Sequence, residues 1–583
     1  MVALAINFRI LRYGIVFESY DLHAHIKWLQ HFSYQLAEGS WYPRWLAGLN
    51  HGYGSPTFVF YPPAVVYLGS ALKAIGLNAE RAMAALMVLM SCAAGLGFYR
   101  FGRVRWHAMP ALFGAMAYMS APYIVYNTYH RGALAEVLAT SILPFGLAFT
   151  DELIDRNRRW LALTVCFSLL SLTHLPSLLI YVIAWSLYIL AQRLSFKRLF
   201  YLATAPVMGF GLSSIYLIPA VLEKKLVNLD SMREVAGGFG AHLVPLIGNN
   251  VHKLEGNIIT IFRYGVVSTV IFLTIAVATG FSRSSFSNSS HRVSRSQLVW
   301  IRRGILWLIS LGVVSFLMSP AAYLIWAASP TLQMIQFPWR LMGLFSLIYA
   351  GAFGFALEVL LLAGHREGLR QQPIWQRLLA AGLLVALLGW NIRYSHDLTT
   401  RHPGFYQPGD LTEARAAGLW QAKSFDTISI ALNDPYTNRL GDVAEYLPLL
   451  PDTQSVVPRP QQNQTRVRVV SGQASVVVEQ WKSEYRRLSV NVDEQSEIHV
   501  RTYNYPAWHA YIDGEATPIQ TTSDGLIGLT LAPGAYTVEL RYQATPAMKL
   551  GGLCSGVSLM ILGVLGFRKA NLRSLKQSGL KQT

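Results

Sequence analysis

Several short stretches set polar side chains in apolar surroundings. The first, GIVFESYDLHAHIKWLQHF (residues 14–32), places Asp21 four residues before His25, with His23 between them. If a helix begins there, positions i and i+4 share a face, so Asp21 and His25 project together. Three readings are open: a helix N-cap, since Asp before an amphipathic run is a start signal; a metal site; or the reacting end of a membrane enzyme. His23 and His25 leave a helix on different sides, so a shared metal would need extended backbone. The second stretch, YNTYHRGALAEVLA, holds Arg131 and Glu136 between two apolar runs. Glu136 near a helix start suits the positive end of the dipole and pairs with Arg131; an ionisable group held at a membrane is also a candidate functional residue. The third, QMIQFPWRLMGLF, carries Gln333, Gln336, Trp339 and Arg340 at the entrance to another run. Arg340 there is either an interfacial anchor or a group that meets a lipid phosphate at headgroup depth. A fourth, YPRWLAGLNHGYGSPTFVFYPP (42–63), has glycines and prolines that fix turns and offers Arg44, Asn50, His51 and Tyr61.

The elements that must hold these residues are membrane helices. Of 583 residues, 52% are hydrophobic and only 14% charged, against about a quarter charged in soluble proteins. The net charge of +18 is split into short basic clusters between apolar runs, as the positive-inside rule requires. A nucleic-acid binder would gather that charge on one face. Cys92, Cys166 and Cys554 lie apart inside apolar runs, which excludes a disulfide framework or a CxxC zinc site.

Runs of spanning length fall at 81–99, 108–126, 133–150, 199–221, 264–281, 304–326, 339–363, 378–394 and 548–567. The stretch 160–192 breaks at THLPS, with Pro176 favouring two helices over one; basic clusters on both flanks agree with two crossings. The expected fold is a polytopic α-helical membrane protein of about 11–12 spans. Residues 1–17 are apolar but interrupted by Arg9 and Arg12, giving a marginal or truncated first helix. Residues 18–80 form an extracytoplasmic loop with interfacial helices: by the same parity, 55–77 is re-entrant or surface-lying rather than spanning. Residues 81–394 are the transmembrane core. Residues 395–547 gain charge, proline and period-two strands (TRVRVVS, ASVVVEQW, RRLSVNV, EIHVRTY, AYTVELRY), with turns at Asp513-Gly514, Asp524-Gly525 and Pro533-Gly534. They form a β-rich, sandwich-like extracytoplasmic domain, followed by a final span at 548–567 and a basic cytoplasmic tail at 568–583.

Taken together, DLHAHIKW, GYGSPTFVFYPP, HRGALAE, IQFPWR and YPAWHAYIDG resemble the bacterial membrane family labelled 6-pyruvoyl-tetrahydropterin synthase-related, with its YfhO-like relatives. The arrangement is similar to the GT-C glycosyltransferases, which move a sugar from a polyprenyl-phosphate donor to an acceptor outside the cytoplasmic membrane. Pterin chemistry has no support, since nothing beyond His23 and His25 completes a soluble zinc scaffold. The resemblance implies Asp21 as the first-loop carboxylate, a general base or metal ligand, and Glu136 as the second acidic position. Arg340 and Arg131 would hold the donor phosphate, with His25, Arg44, Tyr61 and Gln336 lining the substrate site. Metal dependence varies among such enzymes, so a divalent metal is compatible and no ligand set is assigned. The implied partners are the lipid bilayer, a polyprenyl-phosphate sugar donor and an extracytoplasmic glycan or lipid acceptor, in a bacterial inner membrane and without nucleic acid. The rival class is a non-catalytic scaffold or transporter in envelope polysaccharide assembly. A transporter would carry its ionisable groups near mid-membrane, and here they cluster at run ends. Aromatics in YNYPAWHAYIDG are either sugar-stacking groups or core.

Overall fold

The computed structural model describes residues 2–13, 19, 21–229, 231, 238–248, 256–281, 295–363, 374–399, 443–458 and 464–579. The basic stretches at 283–294 and 364–373, and 400–442 of the expected β-rich segment, lie outside these residues, as does the side chain of His23.

Among the described residues, eight helices are long and apolar enough to cross a bilayer. In chain order, after two shorter helices α1 (Leu22–Ala37) and α2 (Ala64–Ala74), come α3 (Ala79–Arg105), α4 (Ala108–Arg131) and α5 (Leu134–Arg156). The run 160–192 breaks at Leu172–His174 into α6 (Trp160–Ser171) and α7 (Leu175–Ala191). Helices α8 (Phe196–Leu212) and α9 (Ser214–Leu222) form one apolar pair bent by 74°. Then follow α10 (Gly256–Phe281), α11 (Arg295–Met318), α12 (Met342–Ala363) and α13 (Ile374–Leu398). The last span opens α14 (Pro546–Gly579). The figure of about 11–12 spans counted both halves of 160–192, and these form helices of 12 and 17 residues. Helix α2 has 11 residues, roughly 16 Å at 1.5 Å per residue, too short to cross a ~30 Å hydrocarbon core alone. It lies against α1 and α3. The first residues form two short helices, Val2–Ile6 and Phe8–Tyr13, and Asn7 between them donates to Ser91 Oγ of α3 at 2.9 Å. Of the spans, the one carrying Arg340 is the most enclosed, with 83% of its apolar window buried, against 17% for the last.

The C-terminal β domain is one curled antiparallel sheet of seven strands, a half-barrel. Strands β1 (Val467–Trp481) and β2 (Tyr485–Tyr503) are long; β3 (Trp508–Ile512), β4 (Glu515–Thr517), β5 (Gln520–Thr521), β6 (Leu526–Leu531) and β7 (Gly534–Tyr542) are short. β2 pairs β7 along Tyr485–Val492 and β6 along Ser496–Tyr503. One strand therefore serves both halves of the curl. The β1–β2 ladder slips around Gly472, whose φ is +77° and where a Cβ would stand 2.2 Å from Gln495 O. A bulge with glycine at the positive-φ position bends both strands, which is what turns β2 from one partner to the other. Asp513-Gly514 joins β3 to β4 with φ of +50° and +89°, the geometry that two-residue hairpin turns need.

The β domain does not stand apart from the first loop. Trp45, fully buried, sits among Tyr505, Trp508 and Tyr542 with ring centroids 5.9–6.1 Å away. Tyr503 N–H donates to Tyr53 O at 2.8 Å, and Ser40 Oγ to Glu484 Oε1 at 2.7 Å. Residues of both segments form one hydrophobic core. Tyr503, Tyr505 and Trp508 of the YNYPAWHAYIDG stretch belong to that core, at most 4% exposed.

Candidate functional site

The site is assembled where α4 ends and α5 begins. The last turn of α4, Asn127–Arg131, widens into a π-helical turn and closes at Gly132 with φ +63°. A Cβ at Gly132 would lie 2.6 Å from Leu22 Cβ and 2.8 Å from Leu22 N, so only glycine lets the start of α1 approach. There Asp21 N–H donates to Arg131 O at 2.7 Å. π-turns of this kind recur at functional sites because they re-aim side chains from a helix.

Glu136, in the first turn of α5 and 2% exposed, is saturated by donors. Its Oε1 accepts from Tyr123 OH at 2.6 Å and Asn127 Nδ2 at 2.9 Å. Its Oε2 accepts from Arg131 Nη1 at 2.8 Å and lies 3.5 Å from Arg340 Nε. Asn127 Oδ1 also accepts from Arg131 Nη1 at 2.8 Å. The pairing of Glu136 with Arg131 is thus present, and Arg340 joins it from a distant part of the chain. Both guanidiniums are nearly enclosed, at 8% and 9% side-chain exposure. Arg131 lies 4.5 Å over the Trp339 ring and Arg340 4.9 Å over the Phe337 ring, contacts that favour a cation where hydration is poor. Arg340 Nη1 donates to Gln336 Oε1 at 2.8 Å and Ile335 O at 2.7 Å. Gln336 holds φ at +65°, a backbone conformation that costs a non-glycine residue on the order of 1–3 kcal/mol and gathers at functional sites.

Asp21 is differently placed. Its carboxylate lies 3.8 Å from Arg131 Nη2, and 49% of the side chain meets solvent. It occupies the N-cap position of α1 but makes no capping hydrogen bond, so the cap reading is not realised. Loss of hydration raises its pKa above the ordinary aspartate value, with the Arg131 and Arg340 charges opposing; the open side of the group limits that rise. His25 follows one turn on, 1% exposed, its Nε2 3.4 Å from Tyr61 OH and its Nδ1 without a partner. Burial pushes the ring down to about 4, so it is neutral at pH 7. Trp28 completes the aromatic wall, 4.5 Å from the Tyr61 ring.

The fold therefore brings together Asp21, His25, Tyr61, Arg131, Glu136, Gln336 and Arg340. Arg44 does not join them: it lies 4.0 Å over the Tyr42 ring and donates to Ile215 O of α9 at 3.2 Å, beside the β domain. Tyr123 and Asn127 were missed in the sequence; the spacing of a Tyr-x3-Asn-x3-Arg row on one helical stripe was the available signal. Among the described residues, no group of three or more His, Cys, Asp or Glu side chains is set to hold a metal ion.

The fold and this cluster define a multi-pass helical membrane protein with a C-terminal β domain and a charged site at one end of its helices. The chain belongs to the 6-pyruvoyl-tetrahydropterin synthase-related family of membrane proteins, whose profile matches residues 58–392. That match takes in Tyr61, Arg131, Glu136, Gln336 and Arg340. No curated protein matches the chain.

Proposed function

We propose that this protein is a membrane glycosyltransferase of GT-C type, which moves a sugar from a polyprenyl-phosphate donor to a glycan or lipid acceptor outside a bacterial inner membrane. The observation that carries the reading is the unequal pair of carboxylates. Asp21 is half-open to solvent beside a nearly buried arginine pair, while Glu136 is held by three hydrogen-bond donors and faces Arg340 at 3.5 Å. An open carboxylate suits a general base; a saturated one suits a positioning residue that orients Arg131 and Arg340.

In the reaction, Asp21 takes the proton from the acceptor hydroxyl as its oxygen bonds to the anomeric carbon. The bond from that carbon to the phosphate oxygen breaks, and the leaving polyprenyl phosphate keeps the electron pair. Arg131 and Arg340 neutralise the charge that gathers there, a stabilisation that is strong where water is scarce. His25 and Tyr61 form the wall beside Asp21. The β domain lies outside the membrane in this arrangement, closing the first loop from above.

The test compares wild type and Asp21→Asn for glycan or glycolipid product in a deletion strain at matched membrane levels. Loss of product at normal abundance is expected. Full product from Asp21→Asn would overturn the enzyme reading and favour a scaffold in envelope polysaccharide assembly.

A further inference from the structure

The break between α6 and α7 is docked onto the site. Leu172 O accepts from Ala64 N–H at 2.9 Å, directly after Tyr61-Pro62-Pro63. Seven residues beyond His174, on the same helical face, Tyr181 OH donates to Thr140 Oγ1 at 3.1 Å and stands 3.2 Å from where a Cβ on Gly343 would sit. Thr140 is one turn below Glu136, and Gly343 one turn below Arg340. The starts of α5, α7 and α12 therefore converge, with Glu136, His174 and Arg340 at one level.

His174 is the N-cap of α7: its Nδ1 accepts from Ser177 N–H at 3.3 Å, and the Ser177 hydroxyl lies 2.7 Å away. A backbone N–H only donates, so Nδ1 carries the lone pair and the neutral ring keeps its proton on Nε2. Burial, then the charge of Arg340, pushes the ring down to about 3, with Arg131 and His25 adding to the effect and Glu136 opposing it. The ring is half-buried and has a fixed tautomer. It supplies a neutral donor beside two arginines.

Resting on the proposed function, we infer that the Nε2–H of His174 is a third hydrogen-bond donor to the donor phosphate, alongside Arg131 and Arg340. A neutral donor adds an oriented contact without a third positive charge, which would repel the two already packed there. Capping and binding are then separate duties of the two ring nitrogens.

Asparagine separates them, because Asn is among the best N-caps yet is too short to replace Nε2. The purified full chain in detergent is titrated with farnesyl phosphate and with farnesol, as wild type, His174→Asn, His174→Ala and Arg340→Gln. Loss of one hydrogen bond to a charged group is expected to weaken farnesyl phosphate about tenfold or more in His174→Asn. Farnesol binding and melting temperature should stay near wild type. His174→Ala should lose phosphate affinity and melt lower. Wild-type affinity in His174→Asn, while Arg340→Gln is weakened, would overturn the inference alone. Equal weakening of both ligands in His174→Asn would also overturn it, since that is a general loosening. Failure of the wild type to prefer farnesyl phosphate over farnesol would overturn the phosphate reading and this inference with it.

Discussion

Replacing Glu136 by glutamine keeps its shape and removes its charge. In the native site this carboxylate is 2% exposed and faces two guanidiniums, at 2.8 and 3.5 Å, that are themselves 8% and 9% exposed. With Glu136 neutral, Asp21, 3.8 Å from Arg131, is the only carboxylate left in an ion pair with either guanidinium among the described residues, and half of it lies in solvent. The glutamine NH2 must also face Arg131 or displace the Tyr123 donor. Removing one partner of a buried ion pair costs about 3–5 kcal/mol. At roughly 2 °C per kcal/mol for a large folded body, the melting temperature should fall on the order of 6–10 °C. Asp21→Asn removes a charge that water already reaches and that makes no capping bond. Its pairing is worth no more than about 1 kcal/mol, so its melting temperature should move by about 2 °C or less. Tryptophan-fluorescence melts of the purified full chain in one detergent measure both. A Glu136→Gln protein as stable as wild type, or an Asp21→Asn protein that falls as far, would refute the division between a positioning and a reacting carboxylate.

Gly132→Ala should displace α1 from the α4 turn, because the added Cβ meets Leu22 at 2.6 Å and the φ of +63° disfavours a side chain. Lowered stability and loss of the Asp21-dependent product are expected, whereas Gly146→Ala, where nothing lies within 4 Å of the new Cβ, serves as the silent control. Acidification should destabilise the first loop through His25 and His31, which burial holds at about 4 and about 3 against 6.5 in the unfolded chain. The unfolded state takes up these protons first, so stability is full above pH 6.5. It falls as pH drops towards those values, by up to about 1.4 kcal/mol per ring and pH unit. Melts from pH 7 to 4.5 should show this, with a smaller slope in His31→Gln; a flat profile would contradict it.

Much of this site was legible because charges are expensive in apolar sequence. Asp21, Arg131, Glu136 and Arg340 each stand at the edge of an apolar run, and that position alone marked them. Their unequal roles were not legible, since the saturation of Glu136 depends on Tyr123 and Asn127, aimed by a π-turn that no pattern announces. Arg44 carries the same local signal as the residues that do come together, yet its stretch folds back onto α9 and the β domain. His174 read only as a helix break, because its value lies in where the break docks. In the β domain, TRVRVVS and ASVVVEQW are two halves of β1, and RRLSVNV and EIHVRTY two halves of β2. Period-two alternation marks strands locally but resets across a bulge such as that at Gly472. The sharing of β2 between β6 and β7 is a long-range choice and left no local trace.

The common core of the first loop and the β domain also sets an order of manufacture. Trp45 leaves the ribosome 463 residues before Trp508 and 497 before Tyr542, and at ~5–20 residues per second that gap is roughly 23–100 s. Through that interval the aromatic side of the loop has no permanent cover, while the helices between are being inserted. The loop bearing Asp21 can reach its final shape only when the last fifth of the chain has been translated. Premature termination between α13 and β7 would therefore leave a molecule with most of its helices in place and an unfinished site. Such a product would be open to proteases at residues 38–60, long before its membrane core showed any defect.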